Sequence, residues 1–264
     1  DKPLPRPEAY AEDLEVAQYS GRDPESIYRD IRAAAESGWD FSSRWFADQA
    51  NMETIQTVDY VPVDLNCLLY YLEKTLLNLY RQLPDRVPVD VFKERSKLRK
   101  NAIQQYCWNN ATGFYFDYNH EEQKQSEAWT LAGVYPLFFN IATPEQAAKV
   151  AKNLEEKFLQ PGGLRTTLRD TGQQWDAPNG WAPLQWISYR GLQNYGHHAL
   201  AEQIRHNWVT LNEKIYAATG KMMEKYNVSD LDLAAGGGEY PNQDGFGWTN
   251  GVYLAMQNVD LLMR

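Results

Sequence analysis

Cysteine, histidine and basic charge are all scarce in this chain of 264 residues, and each shortage closes off a class of function. Two cysteines cannot build a disulfide framework. Cys67 and Cys107 both lie in helical, largely apolar patterns and read as ordinary buried thiols. The four histidines, His120, His197, His198 and His206, show neither HxxxH nor HxH spacing, and no Gly-x-Ser-x-Gly elbow precedes them. A histidine metal site and a nucleophilic triad therefore both lack their parts. Lysine and arginine number 26 against 35 acids, a formal net charge of -9 at pH 7. A phosphate-binding surface needs clustered bases, so the balance argues against nucleic acid and against an anionic membrane as partners. No apolar run approaches the roughly 20 residues of a bilayer-spanning helix, and the opening DKPLPRPEAY has no apolar signal region. The expectation is a mature soluble chain, or an excised part of one.

Aromatic residues, by contrast, are plentiful. Nine Trp and seventeen Tyr exceed what a core of this size ordinarily asks for, which suggests a ligand that stacks. The stretch Gly236 to Gly251, GGGEYPNQDGFGWTNG, suits neither helix nor strand. Glycine is costly to order, so a stretch this rich in it implies positive φ angles or close backbone approach. Glu239 and Trp248 would be held on its wall, and a carboxylate beside aromatic faces is what a sugar-binding cleft needs.

The remaining pattern is nearly all helical. Helices are expected over Arg6 to Val16, from Asp23-Pro24-Glu25 to Gly38, over Pro62 to Leu83 and over Pro88 to Trp108. Others are expected over Ala128 to Ala142, from Thr143-Pro144-Glu145 to about Leu159, over Trp181 to Tyr195, His198 to Ala218 and Val252 to Arg264. Residues 113 to 119, GFYFDYN, read as a short strand or hairpin arm. Long irregular stretches fall at 39 to 60, 160 to 180 and 227 to 251. Short links alternating with long, carboxylate-bearing loops describe antiparallel helical hairpins whose loops gather at one end, as in an all-α toroid. No fixed-length repeat supports a solenoid, and no strand precedes a glycine-rich helix start as a Rossmann fold requires.

Carboxylate chemistry is what the residue types leave. Asp40 lies between Trp39 and Phe41, and aromatic walls favour the neutral, proton-donating form of a carboxyl; the same position equally suits an N-cap near Ser42. Asp176, before Ala-Pro-Asn-Gly, fits a turn former. Composition alone would make Glu224 a solvated charge at a helix end. Two acids can cleave a glycosidic bond without a cofactor, one protonating the leaving oxygen while the other attacks or activates water.

Several of these segments carry a likeness to a known family. QWDAPNGWAP (Gln174 to Pro183), SGWDFSSRW (Ser37 to Trp45) and GGGEYPNQDGFGWTNG resemble the signature, catalytic-acid and C-terminal loop motifs of the trehalases of glycoside hydrolase family 37. RPEAY near the start and EKY at Glu224 to Tyr226 match in the same order, and the bacterial periplasmic trehalases are the members most alike. The resemblance implies an (α/α)6 toroid that hydrolyses α,α-trehalose to glucose with inversion, without metal or cofactor, in the periplasm. By position it makes Asp40 the general acid and Glu224 the general base. Arg6, Pro7, Glu8, Gly38 and Glu239 then belong to the sugar site, and Trp175 and Trp181 line the cleft. The family's first signature, a PGGRF-like motif, has no counterpart here, since PGGLR at 161 to 165 stands in the wrong place. Residues 1–264 thus resemble the C-terminal part of one catalytic domain, whose N-terminal half is the expected partner. Two alternatives stay open: a non-catalytic helical fragment that binds sugar or a partner chain, and another toroidal glycosidase acting on different α-glucosides.

Overall fold

The computed structural model describes residues 3–82, 89–238 and 241–258. Its helices are α1 (Tyr10–Ser20), α2 (Pro24–Ser37), α3 (Val63–Tyr80), α4 (Val89–Ala102), α5 (Tyr135–Phe138), α6 (Pro144–Asn153), α7 (Ala182–Asn194), α8 (His198–Thr219) and α9 (Gly247–Gln257). Their ends follow from local chemistry. Asp23 caps α2 by accepting from the Ser26 N–H at 3.1 Å, and Gly38 ends it in the left-handed conformation at φ 78°. Thr143 and Gln146 cap α6 reciprocally, each side chain accepting from the other's backbone N–H, at 3.2 and 2.8 Å.

Adjacent helices pack as pairs, α1 with α2, α3 with α4 and α7 with α8, while α5 and α9 cover α7. Short links follow α1, α5 and α7; long connectors follow α2, α4, α6 and α8. The long connectors are tied side to side by backbone pairing. Tyr60–Val61 pairs with Tyr118–Asn119, Thr130 bridges Thr167, and Asn179–Trp181 pairs with Lys225–Asn227. The result is an all-α fold of the toroid type in which the connectors form a continuous belt at one end. Among the described residues no helix is long and apolar enough to cross a membrane.

Four expectations are corrected by this arrangement. The stretch Gly236 to Gly251, expected to suit neither helix nor strand, turns helical at Gly247, so that α9 begins before the expected Val252; residues 259–264 of that expected helix lie outside the described residues. The helix expected over Ala128 to Ala142 is mostly a further connector, a 3-10 turn at Leu131–Val134 followed by the four-residue α5. Leu131 to Val134 are all buried, so an apolar run there had no outer face to reveal its period. A Cβ at Gly133 would meet the side chain of Phe114 at 2.5 Å, which shows how closely this backbone is packed. The helix expected from Arg6 begins instead at Tyr10, because Arg6 is extended and Pro7–Ala9 forms a separate 3-10 turn. Glu224, read as a helix-end charge, is 3% exposed and lies at the head of the strand Lys225–Asn227.

Part of the aromatic excess is accounted for inside the protein. Trp45, Trp181 and Trp208 are fully buried, as are Tyr115, Tyr189, Phe41 and Phe46, so that large rings fill much of the interior. Cys67 and Cys107 are buried free thiols, and burial pushes both up from the ordinary thiol range.

Candidate active site

Three connectors meet where the sequence motifs lie, and the contacts run residue against residue. Gln174 donates from Nε2 to the Asp40 carbonyl, and the Trp175 N–H donates to the Phe41 carbonyl at 3.1 Å. Asp176 accepts from the Ser43 N–H at 2.9 Å, from the Ser42 hydroxyl at 2.9 Å and from the Ser43 hydroxyl at 2.8 Å. Thr167 and Thr171 donate to the same carboxyl from its own connector. Gln-Trp-Asp is thereby laid along Asp-Phe-Ser-Ser. Asp176 is fully buried, and burial pushes its carboxyl up from the usual range against the pull of these hydrogen bonds. It is an anchor between two connectors, a role its turn-forming sequence context did not reveal.

The third connector closes from the other side. The strand register sets Lys225 opposite Trp181. The Glu224 N–H donates to the Gln243 carbonyl at 2.8 Å, and Trp248 Nε1 donates to the Glu224 carbonyl at 3.3 Å. Lys225 Nζ donates to Glu224 Oε2 at 2.8 Å and to Gln174 Oε1 at 3.0 Å, and stands 5.3 Å over the Trp181 ring. The Asp40 backbone and the Glu224 carboxyl are thus joined through one hydrogen-bonded network.

The other candidate residues are placed as follows. Arg6 is buried; its backbone N–H and its Nη2 each donate to Asp13 at 2.6 Å, and its guanidinium lies 4.7 Å over the ring of Phe41, the residue that follows Asp40 in sequence. Pro7 and Glu8 are exposed on the turn that follows. Gly38 launches the Trp39–Asp40 segment as the left-handed cap of α2. Trp175 stacks on Trp181 with ring centroids 3.9 Å apart and on Trp39 at 5.2 Å, while Trp248, 37% exposed, meets Trp175 and Trp181 edge-on. Trp181 is 1% exposed and Trp175 is 6% exposed, so the pair backs the site and Trp248 offers the open aromatic surface. Glu239 lies outside the described residues.

Lys225, Gln174 and Asp176 are the participants that reading by residue type missed. A buried lysine beside a buried glutamate leaves no compositional trace; the one available signal was that both belong to the motifs themselves. A separate cavity of about 630 Å³, lined by Ser43, Gln49, Trp129 and Arg169 among others, includes neither Asp40 nor Glu224. Among the described residues no group of His, Cys, Asp and Glu is arranged to hold a metal ion.

A family model described as Trehalase matches residues 1–259. The chain belongs to the trehalase family. Periplasmic trehalases of Salmonella paratyphi C and Salmonella newport are each 48% identical to it over 260 residues, covering 98% of this chain and 46% of their own length. This trehalase-family chain therefore spans about half the length of the curated relatives it matches. Neutral trehalase of Saccharomyces cerevisiae superposes with a TM-score of 0.77 at 24% identity, over 96% of this chain and 50% of that one. The family 63 mannosylglycerate hydrolase of Thermus thermophilus, solved with glucose, superposes with a TM-score of 0.60 at 20% identity, over 94% and 53%. At these identities the two structures show a shared fold.

Proposed function

We propose that this chain carries the acid and the base of an inverting α,α-trehalase. Asp40 is the acid: its carboxyl proton passes to the bridging oxygen as the bond from that oxygen to the anomeric carbon breaks. Glu224 is the base: it takes a proton from a water that attacks the same carbon from the opposite face. One trehalose and one water become two glucose molecules, and solvent returns the two carboxyls to their starting states. The observation that supports this reading is the joining of Asp40 and Glu224, from connectors far apart in sequence, through Gln174 and Lys225. Arg6, Pro7, Glu8, Gly38, Trp175, Trp181 and Glu239 contribute to the surrounding glucose site. The Salmonella relatives suggest a periplasmic setting, and their length suggests that an N-terminal half completes the domain.

Proton NMR of the first product tests both the activity and its stereochemistry. Inversion at one α-linked carbon releases one β-glucose while the leaving glucose keeps its α configuration, so equal amounts of the two anomers are expected before mutarotation. Two α-glucoses would indicate retention and reject the roles given to Asp40 and Glu224. Asp40→Asn and Glu224→Gln are each expected to lower kcat by at least about 100-fold with an unchanged circular dichroism spectrum.

A further inference from the structure

We propose that Lys225 and Gln174 form a polar strut that sets the base carboxylate relative to the acid-bearing connector, making Lys225 a positioning residue for hydrolysis. The inference rests on the assignment of Asp40 and Glu224 as acid and base. Its parts are continuous: Glu224 Oε2 accepts from Lys225 Nζ, Lys225 Nζ donates to Gln174 Oε1, and Gln174 Nε2 donates to the Asp40 carbonyl.

The polarity of this chain is dictated by chemistry. An ammonium can only donate, so the amide atom facing Lys225 has to be the oxygen of Gln174. The amide nitrogen then faces the Asp40 carbonyl, which can only accept. Turning the amide over would set donor against donor at one end and acceptor against acceptor at the other. The Gln174 backbone is held as well, its carbonyl accepting from Trp181 Nε1 at 3.0 Å and from Asn179 Nδ2 at 3.1 Å. The strut has a rigid midpoint.

Burial gives it force. Lys225 and Gln174 are 0% and 1% exposed, and an ammonium withdrawn from water is costly unless paired. Lys225 opens a strand whose residues are all buried, where an apolar side chain would fill the space over Trp181 without that cost. What the charge adds is made at the carboxylate. Anchoring Oε2 fixes the plane of the Glu224 carboxyl and the direction from which the group takes up a proton. A general base must meet its water within a few tenths of an ångström, so a carboxyl free to rotate would lose turnover more than substrate binding.

Trehalose kinetics of the intact protein that contains this chain test the strut, with thermal melts recorded alongside. The set is Lys225→Met, Lys225→Arg, Gln174→Ala, the Lys225→Met/Gln174→Ala double variant and Glu224→Gln. Lys225→Met is expected to lower kcat by about 100-fold while KM changes less than about threefold. Gln174→Ala should lower kcat by about tenfold, Lys225→Arg should recover about tenfold of the methionine loss, and the double variant should be no worse than Lys225→Met. Near-normal kcat in Lys225→Met, or losses that multiply in the double variant, overturn the strut. Should Lys225→Met fail to fold, Gln174→Ala and Lys225→Arg decide: wild-type kcat in the first, or no folded activity in the second, assigns Lys225 to packing and overturns it too. Glu224→Gln separates the two levels. Wild-type turnover there removes the base assignment itself, whereas an inactive Glu224→Gln beside a fully active Lys225→Met removes the strut alone.

Discussion

Arg44 has its side chain wholly out of water and its guanidinium forked between two carboxylates. It donates to Asp64 from Nη1 at 2.8 Å and Nη2 at 2.7 Å, and to Asp117 from Nε at 2.7 Å and Nη2 at 2.9 Å. The rings of Trp39 and Trp45 lie 4.6 and 4.3 Å away. Burial alone would favour loss of its proton, but the charges of Asp117 and Asp64 more than offset that and push Arg44 up. Burial likewise pushes the Asp64 carboxyl up, and the Arg44 guanidinium outweighs it and holds the group below the usual range. One side chain thus ties the Asp40 connector to the start of α3 and to the connector after α4. Arg44→Met is expected to cost about 3–5 kcal/mol, because it leaves two buried carboxylates without their cation. Arg44→Lys should recover only part of that, since an ammonium cannot fork. Urea unfolding measures both, and a loss under about 1 kcal/mol in Arg44→Met would show that water already reaches the carboxylates. Nothing in SGWDFSSRW marked Arg44, because burial of an arginine depends on partners distant in sequence.

The glycine-rich connector shows why an element's composition can be read while its partner cannot. Gly238 has φ +82° and its N–H donates to the Gly172 carbonyl at 3.0 Å; an added Cβ would lie 3.0 Å from the Gln174 Cβ. Positive φ and close approach were both expected of this stretch, and both are found at Gly238. That the surface approached is Gln174 could not be read from it. Gly238→Ala is expected to cost roughly 1–2 kcal/mol of local order, from left-handed strain and the crowded contact. Hydrogen exchange should quicken at the Glu224 amide, which donates to Gln243 in this connector, while α7 and α8 stay protected. Gly236→Ala serves as the control, having no positive φ and nothing within 4 Å of an added Cβ. Equal exchange in the two variants would remove Gly238 from this role.

At the scale of the molecule, α3 carries an apolar stripe that the described residues leave exposed. Val63, Cys67 and Leu77 are buried, whereas Leu65, Leu68, Leu72 and Leu79 are 50%, 47%, 51% and 54% exposed along a single stripe. Tyr71, 57% exposed, adds to the stripe. At about 25 cal/mol per Å², an apolar patch of roughly 300 Å² represents about 7 kcal/mol, comparable with the net stability of a domain. The 264-residue chain by itself is therefore expected to associate at micromolar concentration and to become monodisperse with an N-terminal half of a family member present. Light scattering checks this. A cooperatively unfolding monomer of the isolated chain would show that the stripe needs no cover.

Local periodicity and capping residues determined most of the helices, since α2, α3, α6, α7 and α8 each announce themselves by a stripe, a cap or a terminal glycine within their own residues. The motif likeness alone indicated the family, and it raised Glu224 from a solvated charge to a candidate base. Within the connector after α4, the turn at Leu131 to Val134 was not legible, because a segment buried on every side has no polar face to give it a period. Nor were Lys225, Gln174, Asp176 and Arg44, whose significance lies in partners from other connectors. Side-chain burial and long-range hydrogen bonding are properties of the assembled chain, and only the tertiary structure decided which carboxylates would be held, by what, and against which wall.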